Sequence, residues 1–331
     1  MRAIALKKSL NALINQKLPT FIWGSPGIGK SSIVQQIAKE KNIEFIDLRL
    51  SLLDPTDLKG IPFFDSSTKE AIWAEPNFLP KDRNSEGILF LDEMNTAPPS
   101  VQAAAYQLIL DRKIGEYELP PKWAIVAAGN RASDRGVIYR MPSPLLNRFV
   151  HLELEVSFED WKHWAYEYGI NPLIIAFLEY DTTKLFTFNP QEEQEAFATP
   201  RSWEYIDRIL ASNMPKETLL EVIKGTIGEA GVAFVNFLKI KDELPKIEDI
   251  LNNKEIKLPS KAQALFALNS FLVSKAKSAS QKELEAIMRF AFTLPKEFSI
   301  ALIRDLQANA VEIEELESFE EWVEQFSYLL E

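Results

Sequence analysis

The chain has 331 residues and a formal net charge of −11, from 37 basic and 48 acidic side chains; 46 % of its residues are hydrophobic and 26 % are charged. That is the balance of an ordinary globular chain, long enough for two domains. It contains no cysteine and two histidines, which excludes a disulfide scaffold, a cysteine nucleophile, a thiolate zinc site and a histidine-rich metal site.

Taken in chain order, the first half alternates short β-like runs with helical patterns. Thr20–Trp23 is an apolar run ending at a glycine. Ser32–Glu40 reads as a helix with Ile33, Val34 and Ile37 on one face. Phe45–Leu50 is strand-like, and Gly60–Trp73 reads as a hairpin around a polar turn. Ile88–Leu91 is wholly apolar, as a buried parallel strand should be. Val101–Leu110 is helical, Lys113–Trp123 is a second hairpin candidate, Ala124–Ala128 is another buried run, and His151–Val156 is one last strand. Alternating strands and helices predict an α/β fold whose parallel sheet is covered on both faces. Beyond residue 156 nearly everything reads as helix, over 158–168, 172–180, 200–211, 216–224, 232–240, 261–275, 281–292, 296–306 and 319–330. Prolines at 172, 200, 215, 245 and 259 lie at or near the starts of these segments, where a missing N–H costs little. The expected organisation is an α/β core over 1–156, with a hairpin insert near 60–75, followed by an all-helical region.

Charge is unevenly spread. Residues 1–150 hold 19 basic and 16 acidic side chains, a net +3; the remainder holds 18 and 32, a net −14. The last twenty residues carry eight glutamates and no basic residue, but Phe319, Trp322, Val323 and Phe326 among them suit an amphipathic helix better than disorder. This acidity argues against a nucleic-acid partner, because affinity for phosphate backbones comes from clustered lysine and arginine. No apolar run approaches eighteen residues and the N-terminus lacks a signal-peptide core, so a cytoplasmic location without a membrane span is the expectation.

The strongest chemical signal is Gly24-Ser25-Pro26-Gly27-Ile28-Gly29-Lys30-Ser31, which fits G-x-x-x-x-G-K-[ST] between an expected strand and an expected helix. Its glycines let successive backbone N–H groups turn inward around phosphate oxygens, and the helix N-terminus that follows, through Ser32, adds the positive end of a dipole. Lys30 then reaches the β- and γ-phosphates, and the Ser31 hydroxyl becomes a ligand for Mg2+. A second signal is Asp92-Glu93, directly after the apolar run Ile88–Leu91. Ligands of open parallel sheets sit beyond the strands' carboxyl ends. Asp92 is therefore placed to hold Mg2+ through water, and Glu93 to polarise an attacking water.

These stretches resemble the AAA+ ATPases and, within them, the MoxR branch, over about residues 1–240. Gly24–Ser31 is similar to Walker A and Ile88–Glu93 to Walker B. Asp47–Gly60 is similar to the branch's segment after the second strand. Gly129-Asn130-Arg131 with Met141–Phe149 is similar to sensor 1 and the arginine-finger region, and Ala198–Trp203 to sensor 2. The resemblance implies a five-stranded core, a helical lid over 157–240, and a ring, usually of six subunits, that hydrolyses ATP with Mg2+. The acidic helical extension over 241–331 matches no motif.

Asn130 follows a buried run, where an amide can bond both a γ-phosphate and the attacking water; a Gly-Asn pair also serves as an ordinary turn. The resemblance assigns Arg148 to a neighbouring subunit's site, with Arg131, Arg135 and Arg140 as rivals and a structural ion pair as the plainer alternative. Arg201, in the first turn of a lid helix opened by Thr199-Pro200, is placed to touch the γ-phosphate, or is a surface arginine. No Asn-Lys-x-Asp motif of a Ras-type GTPase occurs, and the resemblance adds weight for ATP.

Phe63, Phe64 and Trp73 of the first hairpin, and Tyr117 near the tip of the second, are candidates for gripping a partner; packing onto its own domain is the rival for the first hairpin, and a solvated loop for the second. The resemblance implies a partner with a von Willebrand factor A domain and a chaperone-like role in maturing another protein. A nucleotide-gated assembly scaffold with little turnover is the alternative, and a nucleic-acid motor a further one.

Overall fold

The computed structural model describes every residue except 68, 135–137, 213 and 327–331. The chain divides into two compact units, Met1–Ser157 with Asn189–Glu193, and Phe158–Phe188 with Gln194–Glu331.

The first unit is built on five parallel strands, β1 (Thr20–Trp23), β2 (Glu44–Arg49), β5 (Gly87–Asp92), β8 (Ala124–Gly129) and β9 (Val150–Glu153), in the order β2-β5-β8-β1-β9. Residues Gly87 to Leu91 of β5 and all of β8 are buried, as expected of central strands covered on both faces. The register sets Trp23 of β1 opposite Gly129 of β8, and Arg49 of β2 opposite Asp92 of β5. The carboxyl ends of four strands therefore share one edge. Gly87 is required where β5 begins: a Cβ there would lie 2.6 Å from the Trp123 ring and 2.8 Å from the Glu44 carbonyl. That close approach buries Trp123 completely and lets its Nε1 donate to Ser85 Oγ at 2.9 Å.

Helices α1 (Ala3–Asn15), α2 (Lys30–Lys41), α3 (Pro55–Lys59), α4 (Pro99–Asp111) and α5 (Ser143–Leu146) complete the unit with two small hairpins. Helix α1 lies outside the elements expected from the sequence; its Leu6, Leu10 and Ile14 form one buried face at four-residue spacing. The expected last strand, 151–156, is shorter. It pairs with β1 over Val150–Glu153, and then the Glu155 N–H turns to the Met1 carbonyl at 3.0 Å. The first hairpin is β3 (Ile61–Asp65) with β4 (Glu70–Ala74), pairing Phe63 with Ile72 and Pro62 with Trp73. Phe63 and Phe64 are exposed and Trp73 is half-buried. The second is β6 (Lys113–Ile114) with β7 (Tyr117–Glu118).

The second unit is helical: α6 (Phe158–Tyr168), α7 (Pro172–Tyr180), α8 (Pro200–Ala211), α9 (Lys216–Ile227), α10 (Glu229–Leu238), α11 (Ile247–Leu251), α12 (Ala262–Ala276), α13 (Gln281–Ala291), α14 (Lys296–Ala308) and α15 (Glu317–Phe326). The expected continuation of the last helix beyond residue 326 lies outside the described residues. Helix α12 packs against both α7 and α14. Trp203 of α8 is fully buried against Phe177 and Phe234, with its Nε1 donating to the Lys184 carbonyl at 2.9 Å. Lys162 is buried among carboxylates, 2.7 Å from Asp305, 3.1 Å from Glu179 and 3.8 Å from Glu159. Among the described residues no helix is long and apolar enough to cross a membrane.

Candidate nucleotide site

The loop 24–29 leaves β1 and delivers the chain into α2. Gly24, Gly27 and Gly29 all have positive φ, at 159°, 74° and 97°. Gly29 caps α2 in the left-handed region, where a residue with a Cβ is strained. Ile28 is buried and its Cδ1 lies 2.5 Å from where a Cβ on Gly24 would stand, so the first glycine is also demanded by packing. The loop thus presents backbone and the α2 N-terminus, with Lys30, Ser31 and Ser32 in the first turn. The Lys30 ammonium donates to the Gly24 carbonyl at 2.5 Å, the Ser25 carbonyl at 2.9 Å and Asn130 Oδ1 at 3.1 Å. The Ser25 hydroxyl donates to Asp134 Oδ1 at 3.2 Å, which ties the loop to the segment after β8.

Asp92 ends β5 and Glu93 follows in the left-handed region at φ 55°. A non-glycine residue held there costs roughly 1–3 kcal/mol. The reversal is fixed by the Thr96 and Ala97 N–H groups donating to the Glu93 carbonyl and by Met94 N–H donating to the Ala128 carbonyl. Burial pushes the Asp92 carboxyl above the ordinary carboxylate range; the Glu93 N–H and the Lys30 charge pull it back. A hard dication beside Asp92 would relieve the same penalty, and the Asp92 carboxylate and Ser31 hydroxyl are the oxygen donors that Mg2+ takes. Donor chemistry and loop geometry therefore fit a Mg2+–nucleotide.

Two residues at this edge were not singled out from the sequence. The Ser51 hydroxyl donates to Glu93 Oε2. Asn95, 2 % exposed, holds the backbone of Asn130 through its side-chain amide. Ser51 lies in the 47–60 stretch without an assigned role, and Asn95 is two residues after Glu93; neither position carries a motif of its own.

The arginines separate. Arg131 is held within its own unit, Nε 2.7 Å from Glu153 Oε1 and Nη2 donating to the Leu154 carbonyl at 3.1 Å. Arg140 and Arg148 are exposed, without an ion pair among the described residues, and Arg135 lies outside the described residues. Arg201 is exposed in the first turn of α8 in the second unit. The start of that helix is set by a capping box: the Ser202 N–H donates to Thr199 Oγ1 at 3.1 Å and the Thr199 N–H to Ser202 Oγ at 2.7 Å. One expectation is corrected. Tyr117 is not presented at a hairpin tip for a partner; it is 3 % exposed and donates its hydroxyl to the Pro80 carbonyl at 2.8 Å. With two-residue strands, the side facing the core is decided by neighbours, and here burial also pushes the phenol's pKa upward.

Residues 20–151 match the model of the ATPase family associated with various cellular activities (AAA). Midasin of Dictyostelium discoideum is 27 % identical over 161 residues, covering 45 % of this chain and 3 % of midasin. The chain therefore corresponds to a small part of that relative's length. Among solved structures, a substituted RuvB of Thermotoga maritima is 20 % identical with a TM-score of 0.39, over 75 % of this chain and 74 % of that one. NtrX of Brucella abortus in complex with ADP is 15 % identical with a TM-score of 0.43, over 93 % and 68 %. The phosphate loop, the acidic turn after β5 and the asparagine after β8 all fall within the segment, residues 20–151, that matches the model of the ATPase family associated with various cellular activities.

Proposed function

We propose that this chain is a MoxR-type AAA+ ATPase that couples Mg2+-dependent ATP hydrolysis to the remodelling or maturation of a protein partner. The observation that carries the reading is the meeting of Lys30 and Asn130 at 3.1 Å beside a loop built for phosphate, with the Asp92–Glu93 turn at the same sheet edge. In this reading the loop N–H groups and Lys30 bind the phosphates. Ser31 and Asp92 hold Mg2+, which when bound neutralises phosphate charge. Glu93 takes the proton of the attacking water, whose oxygen attacks the γ-phosphorus as the bond to the bridging oxygen breaks, yielding ADP and phosphate. Asn130 orients the water and the γ-phosphate.

Arg148 is assigned to a neighbouring subunit's site and Arg201 to the γ-phosphate; the first role requires an oligomer, and a homo-hexamer is the assembly the resemblance implies. The internal ion pair of Arg131 counts against that rival, while Arg140 is exposed like Arg148, so the choice between those two rests on the resemblance. The exposed Phe63 and Phe64, with Trp73, are the proposed contacts to the protein partner, for which a von Willebrand factor A-domain protein is the candidate. The test is phosphate release with ATP and with GTP across a range of protein concentrations, for wild type and Arg148→Ala. Specific activity that rises with assembly and collapses in Arg148→Ala supports the reading. Activity independent of assembly contradicts the ring, and nucleotide binding without turnover favours a gated scaffold.

A further inference from the structure

Asn95, in the turn after β5, is almost fully buried. Its Nδ2 donates to the Asn130 carbonyl at 2.7 Å, and its Oδ1 accepts from the Asn130 N–H at 3.1 Å. One side-chain amide thus exchanges two hydrogen bonds with one residue's backbone, the pairing that a neighbouring strand would make. Only one orientation of the amide satisfies both, since the N–H needs an acceptor and the carbonyl a donor. The pairing lies just where β5 and β8 have ended: the Met94 N–H makes the preceding bond, to the Ala128 carbonyl at 3.0 Å.

The fit is close. A Cβ on Gly129 would stand 2.4 Å from Asn95 Oδ1, so the glycine before Asn130 is the residue that lets the amide in. The other end of the arrangement is chemical: with its backbone held, Asn130 presents Oδ1 to the Lys30 ammonium. Asn95 also follows Glu93 by two residues, and its own carbonyl accepts from the Tyr139 N–H at 2.8 Å.

We propose that Asn95 is a positioning residue that fixes Asn130 at the nucleotide site through its backbone and makes that position depend on the turn carrying Glu93. This rests on the hydrolysis reading above. Asparagine is the side chain that can do this. Alanine leaves the Asn130 N–H and carbonyl without partners. An aspartate would keep the acceptor but set a charged oxygen against the Asn130 carbonyl. A glutamine adds a methylene where Gly129 already leaves no room.

The experiment compares Asn95→Ala, Asn95→Asp, Asn130→Ala and the double variant Asn95→Ala/Asn130→Ala in the full chain, by kcat, KM and hydrogen exchange at the Asn130 peptide N–H. Asn95→Ala is expected to lower kcat by about ten-fold or more with little change in KM, and to add nothing in the Asn130→Ala background. The loss in Asn95→Asp is expected to shrink as pH is lowered, because a protonated carboxyl regains the donor. Additive effects of the two alanine substitutions, or an unchanged kcat in Asn95→Ala, overturn the assignment. The exchange measurement needs no turnover. Loss of protection at the Asn130 N–H in Asn95→Ala supports the clamp even in a protein that hydrolyses nothing, which would overturn the hydrolysis reading instead; retained protection overturns the clamp. Should Asn95→Ala fail to fold, the isosteric Asn95→Asp carries the same comparison.

Discussion

The Ser51 hydroxyl donates to Oε2 of Glu93, bringing together two residues 42 positions apart in the chain. Ser51 sits just past β2, whose end lies beside that of β5 in the sheet, so the acidic turn and the segment after β2 meet at the site's edge. A hydrogen bond from a neutral hydroxyl to a carboxylate is worth about 1.5–3 kcal/mol. If Glu93 is the base, this bond holds it in a resting orientation. Ser51→Ala is expected to raise basal turnover a few-fold without altering nucleotide affinity. A large fall in kcat would show that Ser51 orients Glu93 for reaction instead.

Lys30 binds the carbonyls of its own loop, so its charge lies within the loop proposed to bind phosphates. Replacing it removes charge-assisted hydrogen bonds worth roughly 2–3 kcal/mol in affinity. Lys30→Ala should weaken binding of a fluorescent ATP analogue by about 30- to 100-fold while thermal unfolding stays close to wild type. Unchanged affinity would remove the loop from the binding site.

Gly87→Ala tests the packing that sets β5. Its Cβ would press on the Trp123 ring and the Glu44 carbonyl. Overpacking of this kind typically costs about 1–3 kcal/mol. The loss should appear as a lower denaturation midpoint with an unchanged denaturant slope. Full stability in Gly87→Ala would mean that Trp123 can move aside.

The second unit carries a pH dependence. Burial raises the Glu179 carboxyl from 4.5 to about 7, against the pull of Lys162; Asp305 is raised in the same direction by its own burial, and Glu159 adds a smaller push. A native state with raised carboxyl values binds protons that the unfolded chain has released. The associated stability is therefore complete below the unfolded value and is lost as pH rises through about 7. Unfolding midpoints should fall between about pH 4.5 and pH 7, and Glu179→Gln should flatten that fall. A midpoint that rises over this window in the wild type would contradict the assignment.

Much of the first unit was legible because its signals are local. A glycine-rich loop needs its positive φ values within six residues, and the fully buried strands β5 and β8 announce themselves by composition. Ser51 and Asn95 were not legible, because each acts on a partner far along the chain, at 42 and 35 positions. A serine near a strand end and an asparagine in a turn have many ordinary uses. Tyr117 was misplaced because a two-residue strand has no periodicity from which to read its inner face. The Lys162 cluster reads as surface charge in sequence; only the packing of α6, α7 and α14 removes it from water. The net −14 beyond residue 150 does not by itself distinguish those buried carboxylates from solvated ones.

The proposed mechanism has Glu93 activate water at a site where other residues bind the nucleotide. The most direct measurement is steady-state phosphate release by wild type and Glu93→Gln, with ATP affinity measured in parallel. Glu93→Gln is isosteric and keeps an acceptor for Ser51. It is expected to bind Mg2+–ATP as wild type does and to lose about 100-fold or more of kcat. Turnover by Glu93→Gln at the wild-type rate would contradict it.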